Sequence, residues 1–157
     1  MTQKHLHRLD VIFKEQPVFF VTTCTNNRRR VLDSEAMHEI FVEVWKKAEE
    51  LYGWYVGRYV IMPDHVHFFC TPRTDQSKLE YFVGKWKEWT AKHATRKHSV
   101  RMPLWQPEFF DRVLRSGESY DEKWQYVRDN PVRAGLVSDS LDWPYQDELN
   151  EFRCDDI

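Results

Sequence analysis

Two β-forming runs, residues 54–61 (WYVGRYVI) and 65–71 (HVHFFCT), are separated only by Met62-Pro63-Asp64. So short a connection leaves an antiparallel hairpin as the simplest arrangement. On a strand, residues two apart point to the same face. His65 and His67 therefore stand side by side, while Val66 points the other way, into a core that helices must cover.

The remaining elements follow from periodicity. Residues 17–24 (PVFFVTTC) read as another strand, and TNNRRR after them as a polar loop. Ser34 can cap a helix running to about Leu51, with Met37, Ile40, Phe41, Val44, Ala48 and Leu51 at helical spacing and Gly53 as its stop. A second helix is predicted from about Gln76 to Thr95, with Leu79, Phe82, Val83, Trp86, Trp89 and His93 on one stripe. Residues 104–115 include a fourth strand. A last helix begins near Ser119, where Ser119-Tyr120-Asp121-Glu122 fits a capping box, and ends near Asn130-Pro131. The order β-α-β-β-α-β, then α, is that of an α+β, ferredoxin-like antiparallel sheet with an appended C-terminal helix.

A chain of 157 residues is most simply one domain with a real core. The three cysteines, Cys24, Cys70 and Cys154, are odd in number and widely spaced, which offers neither a disulfide framework nor a CxxC zinc signature. Cys24 and Cys70, on apolar strands, read as small core residues. With no apolar run at the N-terminus and none long enough to span a bilayer, the expected compartment is a reduced cytoplasm, with no membrane partner.

The net charge of −2 argues by itself against nucleic acid, but the charge is unevenly spread. From Asp139 onward there are seven acids and one base; the rest of the chain carries 22 bases and 18 acids, about +4. The chain thus divides into a domain over 1–138 and an acidic tail over 139–157. Lys85, Lys87, Lys92, Arg96 and Lys97 cluster on the second helix, and Arg28, Arg29 and Arg30 add a second basic point. Such clusters are either solvated surface or contacts to phosphate. The tail is expected either to weaken binding at any phosphate-binding surface by like charge or to pack as a cap through Trp143 and Tyr145.

An HxH pair is weak evidence for a metal on its own: His5-Leu6-His7 has the same spacing in a polar N-terminal segment and reads as incidental. His65 and His67 differ in lying on a central strand. Downstream, in WQYVRDNPVRAGLV, Tyr126 and Asn130 are four residues apart and are expected on one helix face. Two imidazoles and an amide oxygen suit Mg²⁺ or Mn²⁺ bound to phosphate oxygens, with Tyr126 beside the metal. Trp86, Trp89 and Trp105 are core residues or base-stacking platforms. Tyr120 reads as a helix-start residue.

The strings MPDHVH and YVRDNPVRAGLV, in this order and at this distance, resemble those of the IS200-type Y1 transposases and, more narrowly, of the REP-associated tyrosine transposases. The likeness covers nearly the whole chain, from RLDVIFKEQPVFFVTTCTNNRR to DWPYQ. It implies an HUH-type metal site at His65 and His67, Tyr126 as nucleophile, Asn130 as third ligand, and single-stranded or hairpin DNA as substrate. It further implies a 5′-phosphotyrosine product, with the active site built by a monomer or a homodimer. Many relatives have histidine where this chain has Arg112, which is carried here as a DNA contact. Two other readings compete with a nicking and joining enzyme: a hairpin-binding module that no longer mobilises DNA, and a structural-metal or RNA-binding domain of the same fold.

Overall fold

The computed structural model describes residues 10–14, 17–114 and 117–154. Its elements are β1 (Asp10–Lys14), β2 (Val18–Cys24), α1 (Glu35–Lys46), α2 (Ala48–Tyr52), β3 (Trp54–Ile61), β4 (His65–Pro72), α3 (Leu79–His98), β5 (Phe110–Leu114), α4 (Gly117–Val127), α5 (Asn130–Arg133), β6 (Gln146–Glu148) and β7 (Asn150–Cys154). Five strands form an antiparallel sheet in the order β5-β2-β4-β3-β6. Its first four strands have the expected ferredoxin-like arrangement. The hairpin between β3 and β4 closes with Met62 N–H donating to the His65 carbonyl at 2.8 Å.

Strand alternation splits the core in two. Val21, Val66, Phe68 and Cys70 point to the face covered by α1 and α3, where Phe41, Trp45, Phe82, Val83 and Trp86 pack. Val18, Val60 and Phe69 point to the other face, which receives Tyr120 and Val127 of α4 together with Trp143 and Phe152. Trp86 and Trp105 are buried, and Trp105 Nε1 donates to Thr90 Oγ1 at 3.0 Å, so both are core residues; Trp89 is 38% exposed.

Several boundaries differ from expectation for local reasons. Ser34 does cap α1, its hydroxyl accepting from Met37 N–H, but the helix breaks at Lys47 into α1 and α2. The break leaves Leu51 exposed rather than on the apolar stripe. Gly53, at φ 77°, supplies the left-handed turn that ends α2. The helix α4 begins at Gly117, so Ser119 lies inside it and not at a capping-box N-cap. It stops at Val127, and α5 starts anew at Asn130. Tyr126 and Asn130 are thus not on one continuous helix: Pro131 has no N–H to continue the ladder. His5 and His7 lie outside the described residues.

Two further features carried no periodic signal. The strand β1 pairs in parallel with β7, Asp10 opposite Asn150 and Lys14 opposite Cys154. The acidic segment adds β6 to the sheet edge beside β3, and Trp143 is buried with Nε1 donating to the Ile61 carbonyl at 3.0 Å. Of the two roles open to this segment, packing through Trp143 and Tyr145 is what the structure contains. Truncation at Ser138 would strip a core tryptophan and an edge strand along with the acids.

The docking of α4 depends on Gly57. A Cβ there would lie 2.6 Å from Tyr120 Oη and 2.8 Å from Phe152 Cε2, both in packed rings. Gly57→Ala is expected to destabilise by about 1–3 kcal/mol through overpacking. Gly84→Ala, in the exposed middle of α3 with nothing within 4 Å, should instead stabilise by about 0.5–1 kcal/mol. Urea midpoints of the two variants check this, and a Gly57→Ala protein as stable as wild type would contradict the packing described.

Candidate active site

The pairing of β2 with β4 sets Thr22 opposite His67 and Cys24 opposite His65. Both imidazoles emerge on the α4 face, with ring centroids 4.7 Å apart. Each has its Nδ1 engaged. His67 Nδ1 and Thr22 Oγ1 are hydrogen-bonded at 2.8 Å. His65 Nδ1 lies 2.8 Å from Asp64 Oδ1, whose other oxygen accepts from Arg28 Nε at 3.0 Å. With Nδ1–H donating to Asp64, the tautomer of His65 leaves a lone pair on Nε2. The two Nε2 atoms are the ones available to a ligand.

The electrostatics favour neutral rings. Burial pushes the His67 pKa down to about 3, helped by the neighbouring His65 and by the positive charges of Lys123 and Arg133. Burial also lowers that of His65, and the Asp64 carboxylate only partly opposes it. Asp64 is itself held below the usual carboxylate range by its hydrogen bonds to His65 and Arg28, against the effect of burial. At neutral pH neither histidine carries a proton that a metal would have to displace.

Tyr126, on the last turn of α4, is 61% exposed. A chain of contacts joins it to the histidines. Phe20 stacks on His67 at 5.2 Å between centroids. Lys123 Nζ lies 4.8 Å from the Phe20 ring centroid and 5.6 Å from that of Tyr126. The Arg133 guanidinium sits 4.0 Å from the Tyr126 ring centroid on its own account. Asn130 Oδ1 accepts from Arg133 at 3.1 Å. Among the described residues no third His, Cys, Asp or Glu joins the histidines in a metal-binding group. The other tyrosine of α4, Tyr120, is buried, its hydroxyl accepting from Arg58 N–H at 3.1 Å, and burial raises its pKa.

The basic residues separate into groups. Arg112 of β5 pairs with Phe20, placing it on the same sheet face as His67, and its charge helps burial lower the pKa of Lys123. Lys85, Lys87, Lys92, Arg96 and Lys97 lie on α3, across the sheet from the histidines. Lys87 is committed to the carbonyls of Gln106, Pro107 and Glu108. Lys85 and Lys92 both pair with Glu88, and Lys97 reaches Glu43 at 4.0 Å. Arg96 is exposed. In the arginine triplet, Arg28 holds Asp64, Arg29 donates to the carbonyls of Arg101 and Pro103, and Arg30 is exposed.

Sequence reasoning did not single out Thr22, Asp64, Lys123 or Arg133. Three of them had a local signal: Asp64 abuts the HVH triplet, Lys123 precedes Tyr126 by three residues, about one helical turn, and Arg133 follows Asn130 by three. Thr22 had none, since only strand register brings it to His67.

The histidine pair, the exposed Tyr126 and the cations Lys123, Arg133 and Arg112 are thus linked on the α4 side of the sheet. The family model described as transposase IS200 like matches residues 17–130. The chain belongs to the IS200-like transposase family. It is 28% identical over 131 residues, 81% of this chain and 73% of the relative, to the REP-associated tyrosine transposase of Escherichia coli (strain K12). It is also similar in fold to the solved structure of a REP-associated tyrosine transposase bound to a REP hairpin, with TM-score 0.69 at 20% identity, over 89% of this chain and 81% of that one. No helix among the described residues is long and apolar enough to cross a membrane.

The depressed histidine pKa has a stability consequence. An unfolded histidine titrates near 6.5, and His67 in the fold near 3. Below about pH 6.5 the unfolded chain therefore binds a proton the folded chain does not, and stability falls as pH drops toward 3. His67→Gln should lose less stability than wild type between pH 7.5 and 4.5, as read from urea midpoints in a metal-free buffer. Equal losses would contradict the burial assigned to this ring.

Proposed function

We propose that this chain nicks and rejoins single-stranded DNA beside a hairpin of the REP type, through a 5′-phosphotyrosine on Tyr126. The observation that carries the reading is the exposed Tyr126 phenol on the same cation-rimmed face as His65 and His67. Family membership and the hairpin-bound structural relative support the substrate class.

The donor set fits a divalent ion. His65 and His67 would hold Mg²⁺ or Mn²⁺ through Nε2, with Asp64 and Thr22 orienting the rings from behind and Asn130 Oδ1 as the candidate third ligand. When bound, the ion supplies positive charge that polarises the scissile phosphate. Lys123 and Arg112 would add fixed charge for the flanking phosphates. Tyr126 Oη then attacks phosphorus and the bond to the 3′ oxygen breaks, leaving a 5′-phosphotyrosine and a 3′-OH. A 3′-OH attacking the same phosphorus expels the tyrosine oxygen and joins the strands. No external energy source is needed, because one ester replaces another.

The enzyme domain is taken to include the acidic segment after Ser138, which supplies β6 and the buried Trp143 and Phe152. In this reading the monomer suffices, since Tyr126 reaches the histidine face of its own chain through Phe20 and Lys123. The α3 cluster would serve DNA outside the reacting strand.

Incubation with an oligonucleotide carrying a REP-type hairpin and a single-stranded flank, in Mg²⁺ or Mn²⁺, should give a covalent adduct resistant to denaturing gels. Tyr126→Phe should abolish it while leaving hairpin binding in place. An adduct of wild-type yield from Tyr126→Phe would remove Tyr126 from the role, and tight hairpin binding with no adduct in either metal would leave a hairpin-binding module instead.

A further inference from the structure

Tyr126 is exposed, so core packing does not fix its ring. Nor does a continuous helix tie it to Asn130, because α4 ends at Val127 and α5 begins at Asn130. One side chain spans that break. The Arg133 guanidinium lies 4.0 Å from the Tyr126 ring centroid, donates to the Tyr126 carbonyl at 2.8 Å and donates to Asn130 Oδ1 at 3.1 Å. On Tyr126 itself, Lys123 is the other cation in contact, at 5.6 Å from the ring centroid.

The chemistry of the group matters. A guanidinium is flat: its face can lie on an aromatic ring while its edge presents several N–H donors. A lysine ammonium is a point charge and cannot do both at once. Asn130 Oδ1 has two lone pairs, and the hydrogen bond from Arg133 uses one. The amide is therefore oriented without being used up as a ligand. An exposed tyrosine left to itself samples several χ1 wells, and small misplacement of a nucleophile is costly in rate.

Resting on the reading of Tyr126 as nucleophile, we infer that Arg133 is the positioning residue of the site. It clamps the Tyr126 ring and the Asn130 amide in one arrangement across the α4–α5 break. Its role is to hold geometry, and its positive charge alone does not replace it. Being exposed, Arg133 can be changed without opening the core.

The test uses the full chain as Arg133→Ala and Arg133→Lys. Single-turnover adduct formation is measured on the REP-type hairpin oligonucleotide with Mn²⁺, alongside hairpin affinity by anisotropy and Mn²⁺ affinity by titration. Ring-¹³C tyrosine NMR, with Tyr126 assigned through Tyr126→Phe, reports the ring directly. Both variants should slow adduct formation by about 10- to 100-fold. Mn²⁺ affinity should weaken in Arg133→Ala, which frees the Asn130 amide, so adduct rates are compared at saturating Mn²⁺; Arg133→Lys should keep hairpin affinity. The Tyr126 ring signals should move toward those of a free tyrosine in both. A wild-type rate in Arg133→Ala, full rescue by Arg133→Lys, or unmoved ring signals would each overturn the inference. Absence of adduct from the wild-type chain would count against the phosphotyrosine reading instead, and the NMR arm would still decide whether Arg133 clamps the ring.

Discussion

The antiparallel pairing of β2 with β4 is the constraint on which the site rests. It places Thr22 opposite His67 and Cys24 opposite His65, and it sends Val66 and Phe68 to the helix-covered face. A slip of one residue would exchange the two sets, burying both imidazoles among Trp45, Phe82 and Trp86 and exposing the core. Burial of Val66, Phe68 and Cys70 therefore opposes any such slip, and the histidines inherit their orientation from hydrophobic packing behind them. The cost of holding two neutral, largely desolvated imidazoles is met by hydrogen bonds to Thr22 and Asp64.

The other face of the sheet is finished by parts of the chain that are distant in sequence. Tyr120 and Val127 from α4, and Trp143 and Phe152 from the C-terminal segment, converge on Phe69 and Val60. Gly57 makes room for two of those rings. This second core fixes where α4 lies and so where Tyr126 emerges. From there the arrangement is electrostatic: Lys123 and Arg133 flank the phenol ring, and Arg112 stands across Phe20. These three cations give the face local positive charge although the chain as a whole carries −2. The acids of β6 are at the sheet edge farthest from β5, and Glu148 is paired there with Arg58 at 3.5 Å.

Much of this was legible in the sequence. The β3–β4 hairpin, the two long helices and the shared face of His65 and His67 all follow from periods of 2 and 3.6 residues, which local sequence carries directly. The likeness of MPDHVH and YVRDNPVRAGLV to the IS200-type transposases led to the family that residues 17–130 match. What was not legible depends on contacts between distant segments. Nothing local marks residues 146–148 as a sheet edge; the composition of the segment left a solvated tail and a cap through Trp143 and Tyr145 equally open. The same holds for Thr22, whose role comes from register alone, and for Lys87, whose charge reads as surface until the 106–108 carbonyls are seen around it. The split between α4 and α5 was half legible: Pro131 signalled an end to the helix, while Arg133 bridging the gap is a tertiary fact.

The proposed function requires that β2–β4 register let two Nε2 atoms share one divalent ion on the face where α4 packs. Its most direct test is a crystal of the protein soaked in Mn²⁺, with the ion located by anomalous scattering. The account predicts one site bonded to Nε2 of both His65 and His67, at about 2.0–2.2 Å as for first-row ions on imidazole, with the Nδ1 contacts to Thr22 and Asp64 intact. Manganese bound through Nδ1, bound to one histidine only, or found only elsewhere on the surface would contradict it.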